Sequence, residues 1–296
     1  GGSGFLLMAI APSFWFITVV SLLCGLGAAA YHPQATAFVV SAYPNDRGRM
    51  LGIHGWGGSV GHFLAPAIAT VAIAALDWRW AMVIVAVPII GAGTGLWAYL
   101  PESSPNPEAA LKGALGRPIV VAALAFGLLN TVLYSFVTFV VKMLVDEGWA
   151  EVTAGATLTT MLFIGVVAQP VGGRIYDRFG GRNLFVCSNL GTILSVLLFS
   201  QTSGIVSLVA VGAIATFGFG LFPVSLAIAS KIGGDSRTGF TVGIVFGVSG
   251  LLGAAARPAV GALAEAVGDI RLALGWTVVF AIAALPFAMQ LEKEDA

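Results

Sequence analysis

The chain has 296 residues, of which 58% are hydrophobic and only 9% are charged, and its mean hydropathy is +0.95. A chain of this length is too apolar for a soluble domain, so the composition indicates an integral membrane protein. The formal net charge is zero, which excludes the basic field expected of a nucleic-acid-binding protein.

Nine apolar stretches are each long enough to cross a membrane as an α-helix, which takes about 20 residues. In chain order they lie at residues 14–42, 50–76, 79–100, 119–144, 152–172, 183–201, 204–229, 239–266 and 272–291. Residues 4–11 have the composition of the end of a further helix. The sequence therefore predicts an all-α membrane protein with its helices in direct contact with the lipid bilayer.

Part of the sequence is repeated at a fixed offset of 192 positions. The residues of the first copy are Gly55, Gly58, Gly61, Pro66, Asp77 and Arg79, and those of the second are Gly247, Gly250, Gly253, Pro258, Asp269 and Arg271. The repeat predicts two pseudo-symmetric six-helix bundles. Because the second copy extends upstream to about Arg117, we expect the first copy to begin well before Gly1, with two to three helices missing from this sequence.

Successive loops of a membrane protein lie on alternate sides of the membrane. On that assumption, lysine and arginine are unequally divided between the two sides. Ten lie on one side, namely Arg47, Arg49, Lys112, Arg117, Arg174, Arg178, Arg182, Lys231, Arg237 and Lys293, and three on the other, namely Arg79, Lys142 and Arg271. The positive-inside rule makes the first side cytoplasmic, together with the C-terminus.

The proline-rich segment 101–118 is then predicted to be a cytoplasmic linker. We expect residues 1–100 to be the remnant of an N-terminal bundle, with the tail of helix 3 and helices 4–6. Residues 119–296 would form the C-terminal bundle of helices 7–12.

Residues 172–182 read Gly-Gly-Arg-Ile-Tyr-Asp-Arg-Phe-Gly-Gly-Arg and lie on the predicted cytoplasmic side. They resemble the Gly-x-x-x-Asp-Arg-x-Gly-Arg loop of the major facilitator superfamily, although Gly181 stands where that family often has arginine. The resemblance implies the major facilitator fold and a gating role, through charge-assisted contacts, for Gly173, Asp177, Arg178, Gly180 and Arg182. The alternative is a solvated loop whose arginines only set the topology.

A second group of motifs consists of Gly25-x-Gly27-x-x-x-Tyr31-His32-Pro33, the triplet Arg47-Gly48-Arg49 and the glycine-rich helix that leads to Pro66. It resembles the fosmidomycin resistance group of the same superfamily, although Ala65 stands where that group often has glycine. The resemblance implies a proton-driven efflux antiporter for small drugs or anionic antibiotics. It also implies a cofactor-free monomer in a bacterial inner membrane, with its coupling carboxylate in the missing first helix.

Two other functions stay open at this point. One is proton-coupled uptake of a small organic anion, which uses the same fold and differs in the protonation state that binds the substrate. The other is a carrier-derived receptor or an inactive fragment. The sequence contains no nucleophile with a base, phosphate-binding loop or metal-ligand spacing, so we predict neither an enzyme nor a metal site.

Small residues form a stripe in each copy of the repeat. These residues, with the prolines that follow them, are Gly57, Gly61, Pro66, Gly250, Gly253 and Pro258. Such stripes predict close helix packing, and the prolines predict kinks. Whether the helices slide against each other or pack statically is left open by the pattern.

Arg257 is a cation within a predicted span, where insertion costs about 2.5 to 3.5 kcal/mol. Its counterpart in the first copy is Ala65, so shared packing does not explain it. We expect Arg257 to bind an anionic substrate group, with snorkelling to the interface or pairing with Glu265 as the alternative.

The remaining candidates for a substrate or proton pathway are polar residues in the spans, namely His32, His54, His62, Asn130, Tyr134 and Gln169. Histidine can carry a proton near neutral pH, so the three histidines are candidates for a proton relay. Hydrogen bonding between helices is the alternative for all six residues.

Overall fold

The computed structural model describes residues 2–43, 47–99 and 116–292. Within these ranges only the backbone is described for Asp177 and for residues 30, 40, 47–49, 51–52, 74 and 235–236. Most of the predicted linker, residues 101–115, lies outside the described part of the chain.

The described residues form helices and no strand. The helices are α1 (Gly2–Ala9), α2 (Phe14–Ala42), α3 (Arg47–Ala75), α4 (Trp78–Tyr99), α5 (Arg117–Asp146), α6 (Glu151–Phe179), α7 (Gly181–Gln201), α8 (Gly204–Gly220), α9 (Phe222–Val267), α10 (Ile270–Gly275) and α11 (Val278–Gln290). Nine segments of this described part are long and apolar enough to cross a membrane, which confirms the predicted number of spans.

The boundaries of the last spans differ from the prediction. Helix α9 continues through the connection expected between two spans, and it bends at Gly234, where φ is 58° and ψ is −174°. The last span is divided at Trp276 and Thr277 into α10 and α11. Hydropathy locates apolar stretches but not these local changes of direction, which depend on single backbone conformations.

The loop predicted around Asp177 is almost entirely helical. Helix α6 continues to Phe179, α7 begins at Gly181, and Gly180 alone connects them with φ of 76° and ψ of 160°. Glycine adopts positive φ without the steric penalty of a Cβ atom, so one residue is enough to turn the chain. The connection is therefore shorter than residues 173–182, which separate the two predicted spans.

Helix α5 is the most deeply buried span and packs against α9 and α11. Phe136 of α5 and Phe199 of α7 are fully buried, with ring centroids 4.9 Å apart in an edge-to-face arrangement. In a bilayer such contacts stabilise the bundle by van der Waals packing, because lipid is as apolar as the side chains themselves. Large apolar side chains elsewhere, such as Trp15 and Trp97, face outward, as expected for lipid contact.

The sequence repeat has a structural counterpart at Asp77 and Asp269. The Asp77 carboxylate accepts hydrogen bonds from backbone N–H groups two and three residues later, at 2.6 and 3.2 Å. The Asp269 carboxylate does the same at 2.7 and 3.1 Å. Both aspartates thus cap the N-terminus of the helix that follows, where unpaired N–H groups need acceptors.

Helices from before and after the linker pack against each other. Helix α3 packs on α6, and α2 packs on α9. The second pair packs tightly at Gly239, where a Cβ atom would lie 3.2 Å from the carbonyl oxygen of Pro33. This contact brings α2 and α9 together on one side of a central cavity.

Candidate functional site

A cavity of about 320 Å³ lies between α2, α3, α5, α6, α8 and α9. It receives side chains from both copies of the repeat. All seven polar residues that the sequence suggested for a substrate or proton pathway line it, namely His32, His54, His62, Asn130, Tyr134, Gln169 and Arg257. The fold therefore brings together residues that are more than 200 positions apart in the chain.

Arg257 lies in the second half of α9 and is half-buried. Its Nε donates a hydrogen bond to the carbonyl oxygen of Gly253, one turn earlier, at 2.9 Å. Among the described residues no carboxylate lies within ion-pairing distance of Arg257, and Glu265 is exposed. The alternative of an Arg257–Glu265 pair is not observed, and the guanidinium lines the cavity instead.

His32 lies in a group of aromatic rings. Its imidazole stacks on Phe246, with centroids 5.5 Å apart and an interplanar angle of 23°. Phe222 meets the same imidazole edge-on at 6.2 Å, and Tyr31 meets it edge-on at 5.5 Å. This arrangement gives one wall of the cavity flat, polarisable surfaces.

His54 and His62 lie on the same side of α3, as their spacing of eight residues predicts. The ring of His54 is 5.7 Å from that of Tyr31, centroid to centroid. His62 is exposed and lines the cavity further along the helix. The three imidazoles thus share one cavity with the Arg257 guanidinium.

Two hydrogen bonds between side chains cross the helices that enclose the cavity. Gln169 Nε2 of α6 donates to Ser59 Oγ of α3, and Ser59 Oγ donates in turn to the carbonyl oxygen of Gly55 at 3.0 Å. Asn130 Nδ2 of α5 donates to Ser249 Oγ of α9 at 2.9 Å. The first bond joins the two copies of the repeat, and the second lies within the later copy.

Gln169 is buried, and its Oε1 has no hydrogen-bond partner in the described part of the protein. A buried amide oxygen without a donor costs free energy, so a donor from a bound molecule would stabilise the complex at this position. Gln169 is therefore an interhelical contact, and its Oε1 is an acceptor without a described donor beside the cavity.

Several lining residues were missed by the sequence analysis, including Tyr31, Ser59, Phe222, Phe246 and Ser249. Helical spacing gives a signal for Ser59, which lies three residues before His62 and four after Gly55. The repeat gives a signal for Phe246, because it is the counterpart of His54 and the two side chains line the cavity together.

The glycine stripes do not make the close helix contacts that we expected. A Cβ atom added at Gly57, Gly61 or Gly250 would meet no described atom within 4 Å, and at Gly253 it would meet only Arg257. Gly250 and Gly253 line the cavity instead, so the absence of side chains there leaves it open. Close packing occurs at other glycines, such as Gly172, which faces the carbonyl oxygen of Gly220. Pro66 and Pro258 lie inside helices, and the kinks expected there stay a prediction.

The residues of the motif around Gly173 lie outside the cavity lining. Gly180 makes the turn described above, and the Arg178 guanidinium lies 5.2 Å from the ring centroid of Phe179. Arg182 lines a separate cavity. The side chain of Asp177 lies outside the described part of the chain, so its gating role stays a prediction.

The central cavity is cationic and aromatic. Its described lining includes one guanidinium and three imidazoles but no carboxylate. Within the described residues there is also no group of three or more metal-ligating side chains. Chemically, such a cavity suits an anion that also carries an apolar or aromatic part.

The sequence model of the Major Facilitator Superfamily matches residues 1–156 and 119–289. The chain belongs to the Major Facilitator Superfamily. It is thus a multi-pass membrane transporter rather than an enzyme, and the cavity lies where its two sets of helices meet.

Two curated members of the superfamily illustrate its relatives. The uncharacterized MFS-type transporter YfnC of Bacillus subtilis is 25% identical over 90% of this chain and 68% of its own length. The fosmidomycin resistance protein of Escherichia coli is 25% identical over 84% of this chain and 65% of its own length. The chain thus spans about two thirds of the length of these relatives.

Among solved structures, the superfamily transporter FucP in its outward conformation is similar over 99% of this chain and 80% of its own. The TM-score is 0.75 and the sequence identity is 15%. At this identity the likeness shows the fold alone, and it agrees with the all-helical superfamily architecture.

Proposed function

We propose that this superfamily member is a proton-coupled antiporter that exports small anionic, amphiphilic compounds by alternating access. The observation that carries the proposal is the central cavity, where Arg257 is combined with three histidines and an aromatic wall. The name of the fosmidomycin resistance protein, a relative at 25% identity, supports export of an anionic drug as the direction and cargo.

Arg257 supports an anionic cargo. Within the described residues its charge has no carboxylate partner, and an unpaired guanidinium in a membrane is costly. A carboxylate or phosphonate group of the substrate would compensate the charge by accepting two parallel hydrogen bonds. The aromatic rings around His32 would contact the apolar part of the same molecule.

The three histidines support coupling to protons. Besides the histidines, the described lining residues that carry a titratable group are Tyr31, Tyr134 and Arg257. Protonation of an imidazole in the cavity that Arg257 also lines raises the positive charge of that cavity and so favours the bound anion, whereas deprotonation favours its release. Proton binding and substrate binding are thereby linked, because both change the net charge of the same cavity.

Alternating access requires the contacts between the two copies of the repeat to break and re-form. The Ser59–Gln169 hydrogen bond and the approach of Gly239 to Pro33 are two such contacts. Asp177 and Arg178, in the last turn of α6, would act as gating residues on the cytoplasmic side. We further propose a monomer in a bacterial inner membrane with a cytoplasmic C-terminus, following the distribution of lysine and arginine.

The proposal is tested by measuring flux of an anionic amphiphile such as fosmidomycin in liposomes that contain the protein and a pH gradient. Arg257→Ala should reduce the flux at least about tenfold, since a charge-assisted contact contributes roughly 1.5 to 3 kcal/mol. Arg257→Lys should retain part of the flux, because the charge remains while the bidentate geometry is lost.

Lys142→Ala is the matched control, because it removes an exposed cation that pairs with Asp146 outside the cavity. Unchanged flux in correctly inserted Arg257→Ala would overturn the role of Arg257 in binding. Accumulation of the anion inside cells that express the protein, instead of its depletion, would show uptake and overturn the export direction.

A further inference from the structure

A second cavity, of about 550 Å³, lies at the membrane face where α5 and α7 begin and α11 ends. Three cationic residues line it, namely Arg117, Arg182 and Lys231, together with one carboxylate residue, Glu292. The remaining lining is largely apolar, with Val121, Ile228, Ile232 and Leu291. None of these residues lines the central cavity, so this is a separate site.

The arginines are held at the ends of different helices. Arg117 Nη2 donates a hydrogen bond to Gln290 Oε1 at 3.0 Å, which holds the guanidinium between α5 and α11. Arg182 is the second residue of α7 and is half-buried. Lys231 reaches the cavity from α9. Among the described lining residues, cationic side chains from three helices therefore converge on one cavity.

The backbone adds to this positive potential. Helices α5 and α7 both begin here, at Arg117 and Gly181. The N-terminal end of a helix carries a partial positive charge and N–H groups that need acceptors. Two helix ends and three cationic side chains thus favour an anion with several acceptor oxygens, such as a phosphate group.

The surroundings of the cavity are apolar and face outward. Helix α7 exposes Leu190, Leu194 and Leu197, which follow one another at helical spacing along one side. Helix α11, which packs on α7, exposes Ile282 and Met289. Both helices run from the charged cavity towards the middle of their spans, where hydrocarbon chains lie.

We propose that this cavity binds the headgroup of an anionic phospholipid, with the phosphodiester on Arg117, Arg182 and Lys231 and the acyl chains along α7 and α11. Basic pockets between membrane helices are suited to anionic headgroups because each cation near the surface contributes favourable electrostatic energy. Free phosphate shares the headgroup chemistry but has nothing to place on the apolar faces. The inference does not depend on the proposed function of the central cavity.

The test is native mass spectrometry of the purified protein in detergent, titrated with phosphatidylglycerol, phosphatidylcholine or inorganic phosphate. We expect one phosphatidylglycerol to bind in preference to phosphatidylcholine. Arg117→Gln and Arg182→Gln should each weaken this binding about fivefold. Arg174→Gln, which removes an exposed arginine of α6 outside the cavity, should leave the binding unchanged.

Other outcomes decide against the proposal. Equal binding of the two lipids, or equal weakening by Arg174→Gln, would mean a diffuse surface effect. Displacement of the lipid by millimolar inorganic phosphate would identify a free-phosphate site instead. If a glutamine variant fails to fold, Arg117→Lys and Arg182→Lys keep the charge, and loss of lipid binding in these folded variants would contradict an electrostatic headgroup site.

Discussion

The side-chain amide of Gln169 donates a hydrogen bond to the hydroxyl of Ser59, and this bond joins α6 to α3 beside the central cavity. Ser59 and Gln169 are both buried. They come from different copies of the sequence repeat, so their contact stabilises this arrangement of the two sets of helices. Substituting either residue of this pair should therefore destabilise that arrangement.

Ser59→Ala should destabilise the protein by about 1 to 3 kcal/mol, because the buried Gln169 amide loses its acceptor. The measurement is the free energy of unfolding in mixed micelles. Thr138→Ala is the control, since the Thr138 hydroxyl is exposed and bonds only to the carbonyl oxygen of Tyr134 in its own helix. Combining Ser59→Ala with Gln169→Ala should cost less than the sum of the two single changes, and strict additivity would show that the residues do not interact.

Gly239→Leu should force α2 and α9 apart, because a Cβ atom at this position already lies 3.2 Å from the Pro33 carbonyl oxygen. We expect spin labels on these two helices to show a longer distance and the flux to fall. Gly247→Leu is the matched control on the same helix, where a Cβ atom would meet no described atom within 4 Å. An unchanged distance in the Gly239 variant would mean that this approach does not limit the separation of the helices.

Arg271→Ala should lower the free energy of unfolding by about 3 kcal/mol, because several charge-assisted bonds disappear together. Arg271 Nε pairs with Glu147 at 2.6 Å, and Nη1 donates to the carbonyl oxygen of Thr202 at 2.8 Å and to Ser207 Oγ at 3.0 Å. The carboxylate is only a third exposed, so water screens the pair weakly.

Two other variants provide the comparison for Arg271. Arg79→Ala, at the equivalent position of the first copy, should cost less, because its Nη2 reaches only the Ala11 carbonyl oxygen at 3.4 Å. Lys142→Ala should cost at most about 0.5 kcal/mol, since its pair with Asp146 is an exposed contact within one helix. Equal losses for all three variants would contradict the importance of the Arg271 network.

His32→Phe should distinguish a role of His32 in proton transfer from a role in aromatic packing. Phenylalanine retains the stack on Phe246 but cannot carry a proton, so we expect normal folding and a loss of flux driven by a pH gradient. His32→Ala should lose the stack as well and lower the stability. The readout is substrate-induced proton movement across liposomes, and full proton coupling in His32→Phe would leave His32 as a packing residue only.

The nine spans and the membership of the superfamily were predictable from the sequence, because both depend on local properties. A stretch of about 20 apolar residues predicts a span wherever it occurs, since unpaired backbone groups are not tolerated in lipid. The repeat also predicted that Asp77 and Asp269 would be equivalent, and both cap a helix. Among the spans, the helix ends and the single-residue turn at Gly180 differed from the prediction, because a backbone conformation at one residue leaves no trace in hydropathy.

The convergence of Arg257, His32 and Gln169 on one cavity was decided by the tertiary structure. The sequence marked each of these residues as unusual in a span but gave no distances between helices that are far apart in the chain. It also predicted close helix packing at the glycine stripes, where a Cβ atom at Gly57, Gly61 or Gly250 would meet no described atom within 4 Å, since spacing shows which residues share a helix face but not what lies opposite. Polarity and periodicity belong to each helix separately, whereas the cavity, the Ser59–Gln169 bond and the approach of Gly239 to Pro33 exist only once the helices have packed together.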